Sequence, residues 1–262
     1  MKNLSRSRCP VLGWLALAAL AACGGGSTGP SDDGGGPPVT RFDAPWPSNL
    51  STILTTAFAD GVGDQEALPT WMAGPPYSGP VPFPSVDVTN ISVGVDGQFL
   101  YMRVDYAGTI PDDAVHFQPA GEIEEQWVEN QGMNIALNVD GDIGTGGGGE
   151  GVSGIDTFFA IGFDFGVAPN IYSNWDFPDG DVHHNQHHRE GELGEGGPGF
   201  SYAVARYDLT DLGAFFPFGT TVDVGSWSEA ESFNQDGSLK YHHFAFDRVI
   251  DGGSWEIPDG PQ

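Results

Sequence analysis

Residues 134–165 read NIALNVDGDIGTGGGGEGVSGIDTFFAIGFDF. In the first part Ile135, Leu137 and Val139 alternate with small or polar residues, and in the last part Phe159, Ile161, Phe163 and Phe165 fall on one face. A period of two is the mark of a strand with one buried side, so the stretch predicts two core strands joined by an acidic, glycine-rich loop. Asp140, Asp142, Thr145 and Glu150 bring hard oxygens into that loop, and Asp156 opens the second strand where it can point back at them. Oxygens at alternate positions, with Gly141 and Gly144 allowing sharp turns, suit calcium, although the twelve-residue EF-hand pattern is absent. A solvated acidic hairpin loop is the alternative reading.

Working outward, the same alternation runs through Val86–Val95 and Gln98–Tyr106, separated by Asp96-Gly97, which predicts a hairpin. Leu100, Met102, Val104 and Tyr106 should face one side, and Phe99, Tyr101, Arg103 and Asp105 the other. Further strands are expected at Tyr202–Tyr207, Val222–Trp227 and Tyr241–Ile250, with a short helix or turn around Leu209–Phe216. Residues 42–85 are rich in Pro and Gly and show little periodicity beyond Leu50–Phe58. Pro111–Asn130 and Val167–Gly199 read as irregular loops, and Gly252–Gln262 as a tail of turn residues. At least seven strands and no sustained period of 3.6 predict an all-β fold, an antiparallel β-sandwich of jelly-roll or immunoglobulin-like type.

The N-terminus carries a different signal. Lys2, Arg6 and Arg8 precede an apolar run from Val11 to Leu20, which ends in Leu20-Ala21-Ala22-Cys23. The run is far shorter than the roughly 20 residues that cross a bilayer. It reads as an export signal with a small-residue cleavage site, and it resembles the lipobox of bacterial lipoproteins. That resemblance implies removal of residues 1–22 and acylation of Cys23, by diacylglycerol and an amide-linked chain such as palmitate. Several acyl chains anchor stably where one does not. Gly24, rather than Asp, after the cysteine implies the outer membrane of the cell envelope. Residues 23–38 contain nothing to bury and predict a flexible Gly/Ser/Pro tether, which leaves residues 39–262 as one domain.

The chain carries 36 acidic and nine basic side chains, a net charge of -27. Three of the basic residues lie in the signal, so the mature chain stands at 36 against six, or -30. Such a surface repels nucleic acid and anionic lipid, and its charge far exceeds what one or two ions neutralise. Cys9 and Cys23 are the two cysteines, so the exported domain has no disulfide available and depends on its core and on any metal it binds.

The order DVTNISVGVDGQFLYMRVDYAG, then NIALNVDGDIGTGG, then Gly154-Ile155-Asp156 at a strand start resembles the β-sandwich superfamily of family 9 carbohydrate-binding modules and DOMON-type domains. The resemblance covers about 80 residues well and the C-terminal third loosely. It implies a sandwich of roughly ten strands, calcium near these loops in some members, and a sugar or haem ligand depending on the branch.

Two residue sets are candidate sites. His183, His184, His187 and His188 offer imidazoles to a transition metal, although adjacent histidines in a Gly-rich loop are more often adventitious binders. Tyr172, Asn174 and Trp175, and separately Trp71 and Tyr77, have the composition of a sugar site, in which aromatic faces are flanked by amides and carboxylates; the alternative is that they cap the core. Haem would need axial ligands such as Met102, Met133 or His116 and, without a C-x-x-C-H motif, would be non-covalent. No nucleophile elbow, zinc-protease helix, phosphate loop or mature-chain cysteine nucleophile is present, so no enzyme is expected. The expectation is a lipid-anchored envelope protein that binds carbohydrate non-catalytically and has a calcium-stabilised loop. A surface transition-metal binder and a structural envelope component without a small ligand are the alternatives. Oligomeric state and the identity of the glycan are not written in the sequence.

Overall fold

The computed structural model describes residues 42, 44–64, 83–117, 126–144, 147–149, 152–176, 186–209, 216–234 and 238–259. The signal and tether segments therefore lie outside the described residues. A one-turn 3-10 helix, Leu50–Thr52, leads into β1 (Thr56–Ala59). The hairpin read at 86–106 is β2 (Val88–Val95) and β3 (Phe99–Tyr106). Its turn is held by Asp96, whose Oδ1 accepts the N–H groups of Gln98 and Phe99 at 3.0 and 2.8 Å. The hairpin read at 134–165 is β5 (Gln126–Asn138) and β8 (Thr157–Asp164), enclosing a small hairpin of β6 (Gly147–Gly149) and β7 (Val152–Ile155). β4 (Val115–Phe117) pairs with the start of β5. β9 (Asn170–Asp176), β10 (Gln186–Gly196), β11 (Tyr202–Asp208), β12 (Thr221–Phe233) and β13 (Leu239–Glu256) complete the chain.

The domain is all-β and antiparallel. Rather than two separate sheets, hydrogen bonds trace one path, β1-β2-β3-β11-β10-β9-β8-β5-β12-β13, curling nearly into a barrel. Its ends meet without pairing: Asp247 on β13 accepts the Val88 N–H of β2 at 2.8 Å, and no β1–β13 ladder forms. The core inside contains the residues the alternation picked out, among them Leu100, Met102, Val104, Tyr106, Ile135, Leu137, Phe159, Ile161 and Phe163. The two halves touch there, where the Tyr207 hydroxyl donates to the Ala160 carbonyl at 2.9 Å and its ring meets Phe159 edge-on at 5.0 Å.

The outward side of β3 is covered as well. Phe99 and Tyr101 are buried because the chain at Phe42 and Trp46 lies across them, with Trp46 edge-on to Tyr101 at 5.8 Å. Arg206 of β11 fills the space between: its guanidinium lies 4.6 to 5.7 Å from the rings of Phe99, Trp46 and Phe42, and it pairs with Glu192.

Four sequence readings need correction. Val167–Gly199 is not one loop but contains β9 and β10, and Pro111–Asn130 contains β4 and the first residues of β5. β12 extends past Trp227 to Phe233, and β13 crosses Gly252-Gly253 to Glu256, burying Trp255. For β9, β10 and β12 sheet pairing on both edges, for β13 pairing along β12 and for β4 pairing along β5, overrides weak local propensity.

Candidate functional site

Three regions carry side chains suited to binding. The first is the loop between β5 and β8. Asp156 is buried at its base, and its Oδ2 accepts the N–H groups of Val139 and Asp140 at 2.7 and 3.2 Å. Asn138 Oδ1 then accepts from Gly141, Asp140 Oδ1 from Asp142 and Asp142 Oδ1 from Gly144, at 2.7, 2.7 and 2.8 Å. These short side-chain-to-backbone bonds turn the chain repeatedly, as Asx motifs do. Gly154 closes the loop at φ 71°, and a Cβ there would lie 2.4 Å from the Asp142 carbonyl. The loop thus places exposed Asp140 and Asp142 on successive turns beside buried Asp156; among the described residues the carboxylates within 4.8 Å of one another are a different set, at the third region below. Thr145 and Glu150, the other expected calcium ligands, lie outside the described residues.

The second region is the outward face of β9-β8-β5-β12, opposite the main core. Registers align Tyr172 with Ala160, Ala160 with Asn134, and Asn134 with Trp227; the next row holds Asn170, Gly162, Gly132 and Glu229. Ala160, Gly162 and Gly132 make a low floor, and a Cβ on Gly132 would meet nothing within 4 Å. Around this floor Phe158, Ile155, Ala136, Trp227 and Phe246 form a second apolar cluster, with Tyr172 edge-on to Phe158 at 6.0 Å. The polar residues gather at the other end. Trp227 Nε1–H donates to Glu229 Oε1 at 3.4 Å, and Asn130 Nδ2 donates to Glu231 Oε2 at 2.9 Å. Burial, and after it the charge of Glu229, raises the Tyr172 phenol above its ordinary pKa; burial and then Glu231 raise the Asp164 carboxyl.

Of the residues expected to bind sugar, Tyr172, Asn174 and Trp175 are therefore on strand β9, not in a loop. Positions 172 and 174 fall on one face of the strand and position 175 on the other. Trp71 and Tyr77 lie outside the described residues. The histidine run is likewise divided: His187 and His188 belong to β10, in register with Trp175 and Asn174, while His183 and His184 lie outside the described residues. Met102 and Met133 are fully buried in the core and His116 packs on Trp127.

The third region escaped sequence reasoning. At the seam between β13 and the β1–β2 pair, carboxylate oxygens of Asp60, Asp64 and Asp247 lie within 4.8 Å of one another. Asp247 is 1% exposed. Beside them Asp87 is buried, and its Oδ2 accepts the Gly63 N–H at 2.7 Å. Burial, and then the charges of Asp60, Asp64 and Asp87, push the Asp247 carboxyl up to about 7, against a single lowering contact from the Val88 N–H. Burial and the charge of Asp64 also raise Asp87. A signal was present for one of them: Asp247 takes the middle of the alternate positions 245, 247 and 249, whose other members, Ala245 and Val249, are buried apolar residues. An acid placed where the pattern calls for a core residue is unusual. The chain matches no family model and no curated protein.

Proposed function

We propose that this protein is a lipid-anchored component of the cell envelope, held at Cys23, whose β-domain binds carbohydrate without catalysis and is stabilised by calcium at the Asp140–Asp156 loop. The observation that carries the reading is the outward face of β9-β8-β5-β12. Aromatic rings (Tyr172, Phe158, Trp227) stand at one end of a floor of small residues, and carboxylates and amides (Glu229, Glu231, Asn130) at the other. A pyranose has an apolar face for the rings and hydroxyls for the acceptors; Trp227 and Glu229 are buried, so the half-buried Tyr172, Phe158, Gly162 and Gly132 form the accessible part of the face. The calcium role rests on the loop's alternating acids, and the sandwich family on the order of motifs noted above. A strand-borne platform is also more rigid than a loop, which reduces the ordering cost of binding.

The reading is tested on a glycan array with the full chain in detergent and calcium. Binding is expected to one glycan class, lost in Tyr172→Ala. Gly132→Val is the stricter variant: it faces open space and a β-branched residue suits a central strand, so it should fold normally yet block the floor. No glycan bound by the folded wild type, or equal binding by Gly132→Val, contradicts the proposal.

A further inference from the structure

The seam cluster is the feature the proposed function does not use. β1 and β13 end the sheet path and do not hydrogen-bond to each other, so the near-closed barrel has one unpaired junction. At that junction the sequence supplies acids where pairing or apolar contact would be expected. Asp60 follows β1, Asp64 lies in the loop after it, Asp87 precedes β2, and Asp247 sits within β13. Three of these carboxylates, from the loop after β1 and from β13, lie within 4.8 Å of one another with Asp87 beside them, and the two most buried, Asp87 and Asp247, are 4% and 1% exposed. All the side-chain charges acting on Asp247 are negative.

A second observation is independent of that grouping. Asp87 spends one oxygen, Oδ2, on the Gly63 N–H, while its Oδ1 is fully buried and accepts no hydrogen bond. Gly63 sits between Asp60 and Asp64 in the chain, so the Asp87 carboxylate abuts the loop that carries the cluster. Buried polar atoms are nearly always satisfied, and a buried carboxylate oxygen without a donor is the arrangement a cation completes.

We infer that Asp60, Asp64 and Asp247, supported by Asp87, bind a calcium ion that closes the seam between β13 and the β1–β2 pair. The ligand set is all hard oxygen, which selects calcium, magnesium or manganese over zinc or copper. Ligand number then favours calcium: it accepts an irregular shell built from several protein carboxylates, whereas magnesium keeps most of its waters and takes one or two carboxylates. Exposed Asp64 gives the ion its entry side, and water completes its coordination. The consequence is mechanical: one ion ties the first strands of the domain to the last, where no backbone ladder does so.

The test is calcium binding by the full chain in detergent after chelation, measured by equilibrium dialysis with radioactive calcium, alongside hydrogen exchange. Wild type, Asp64→Asn, Asp247→Asn and Asp142→Asn are compared. Asp64 is exposed, so its variant folds even if the buried substitution does not. Asp64→Asn and Asp247→Asn should each weaken one site at least tenfold, and Asp142→Asn should leave that site intact. Calcium should slow amide exchange at residues 56–60 and 88–91 in wild type and Asp142→Asn but not in Asp64→Asn. Equal binding by wild type and Asp64→Asn overturns the inference. Loss in Asp142→Asn alone overturns it while sustaining the loop site, and no calcium bound by any form overturns both.

Discussion

Calcium-free protein should become more stable as pH falls from 8 to 5.5, and Asp247 should account for a defined part of the gain. The Asp247 carboxyl is raised from 3.8 to about 7 in the folded state, burial being the main cause. Between those values the native state holds a proton that the unfolded chain releases, so stability falls as pH rises through the window and levels off above about 7. Integrating for one group gives about 2 kcal/mol between pH 5.5 and pH 8, since each pH unit inside the window is worth about 1.4 kcal/mol. For a domain of this size that corresponds to roughly 4–8 °C in midpoint. Lowering pH also relieves the self-repulsion of a chain with a net charge of -27, so wild type alone is not decisive. The assay is therefore urea unfolding of chelated wild type and Asp247→Asn at both pH values. The amide keeps an acceptor for the Val88 N–H but has no proton to exchange. Wild type should gain about 2 kcal/mol more than the variant on acidification. Identical pH dependence in the two proteins, or a smaller gain in wild type, would refute the reasoning.

Two further predictions concern the scaffold. Gly94 of β2 is pressed against the chain before β1, and a Cβ there would lie 1.8 Å from the Ile53 carbonyl oxygen, so Gly94→Ala should destabilise by about 3 kcal/mol or displace residues 50–54, seen as a lower urea midpoint. Arg206→Lys keeps the charge near Glu192 but loses the flat stack against Phe42, Trp46 and Phe99, and should cost about 2 kcal/mol and expose Trp46 to quenching; unchanged tryptophan fluorescence and midpoint would contradict this.

The core strands were legible because one buried face imposes a period of two: Leu100, Met102 and Val104, and Phe159, Ile161 and Phe163, stand where alternation placed them. β10 was not legible, since QHHREGELGEG offers no apolar alternation and is a strand only because β9 and β11 pair with both its edges. Gly252-Gly253 looked like a terminator, yet β13 passes through it by slipping register against β12. The site was partly legible. The Asp140 loop drew attention because its acids are contiguous, whereas Asp60, Asp64, Asp87 and Asp247 meet only when the last strand returns to the first. The outward floor was hidden for a related reason: Gly132 and Gly162 give no signal singly, and only register sets them side by side between Asn170 and Glu229. That the large antiparallel sheet nearly closes on itself likewise follows from which strands pair, and periodicity is silent on pairing.

The most direct test of a calcium-stabilised domain is thermal unfolding of the full chain in detergent after exhaustive chelation, with calcium, zinc or buffer added in parallel. An ion bound only by the native state raises the midpoint with its concentration, by about 2.7 kcal/mol at a hundredfold excess over the dissociation constant. The account predicts a calcium-dependent rise of roughly 5–10 °C that zinc does not reproduce and that Asp142→Ala or Asp64→Asn reduces. A midpoint unmoved by calcium, or raised by zinc alone, would contradict it.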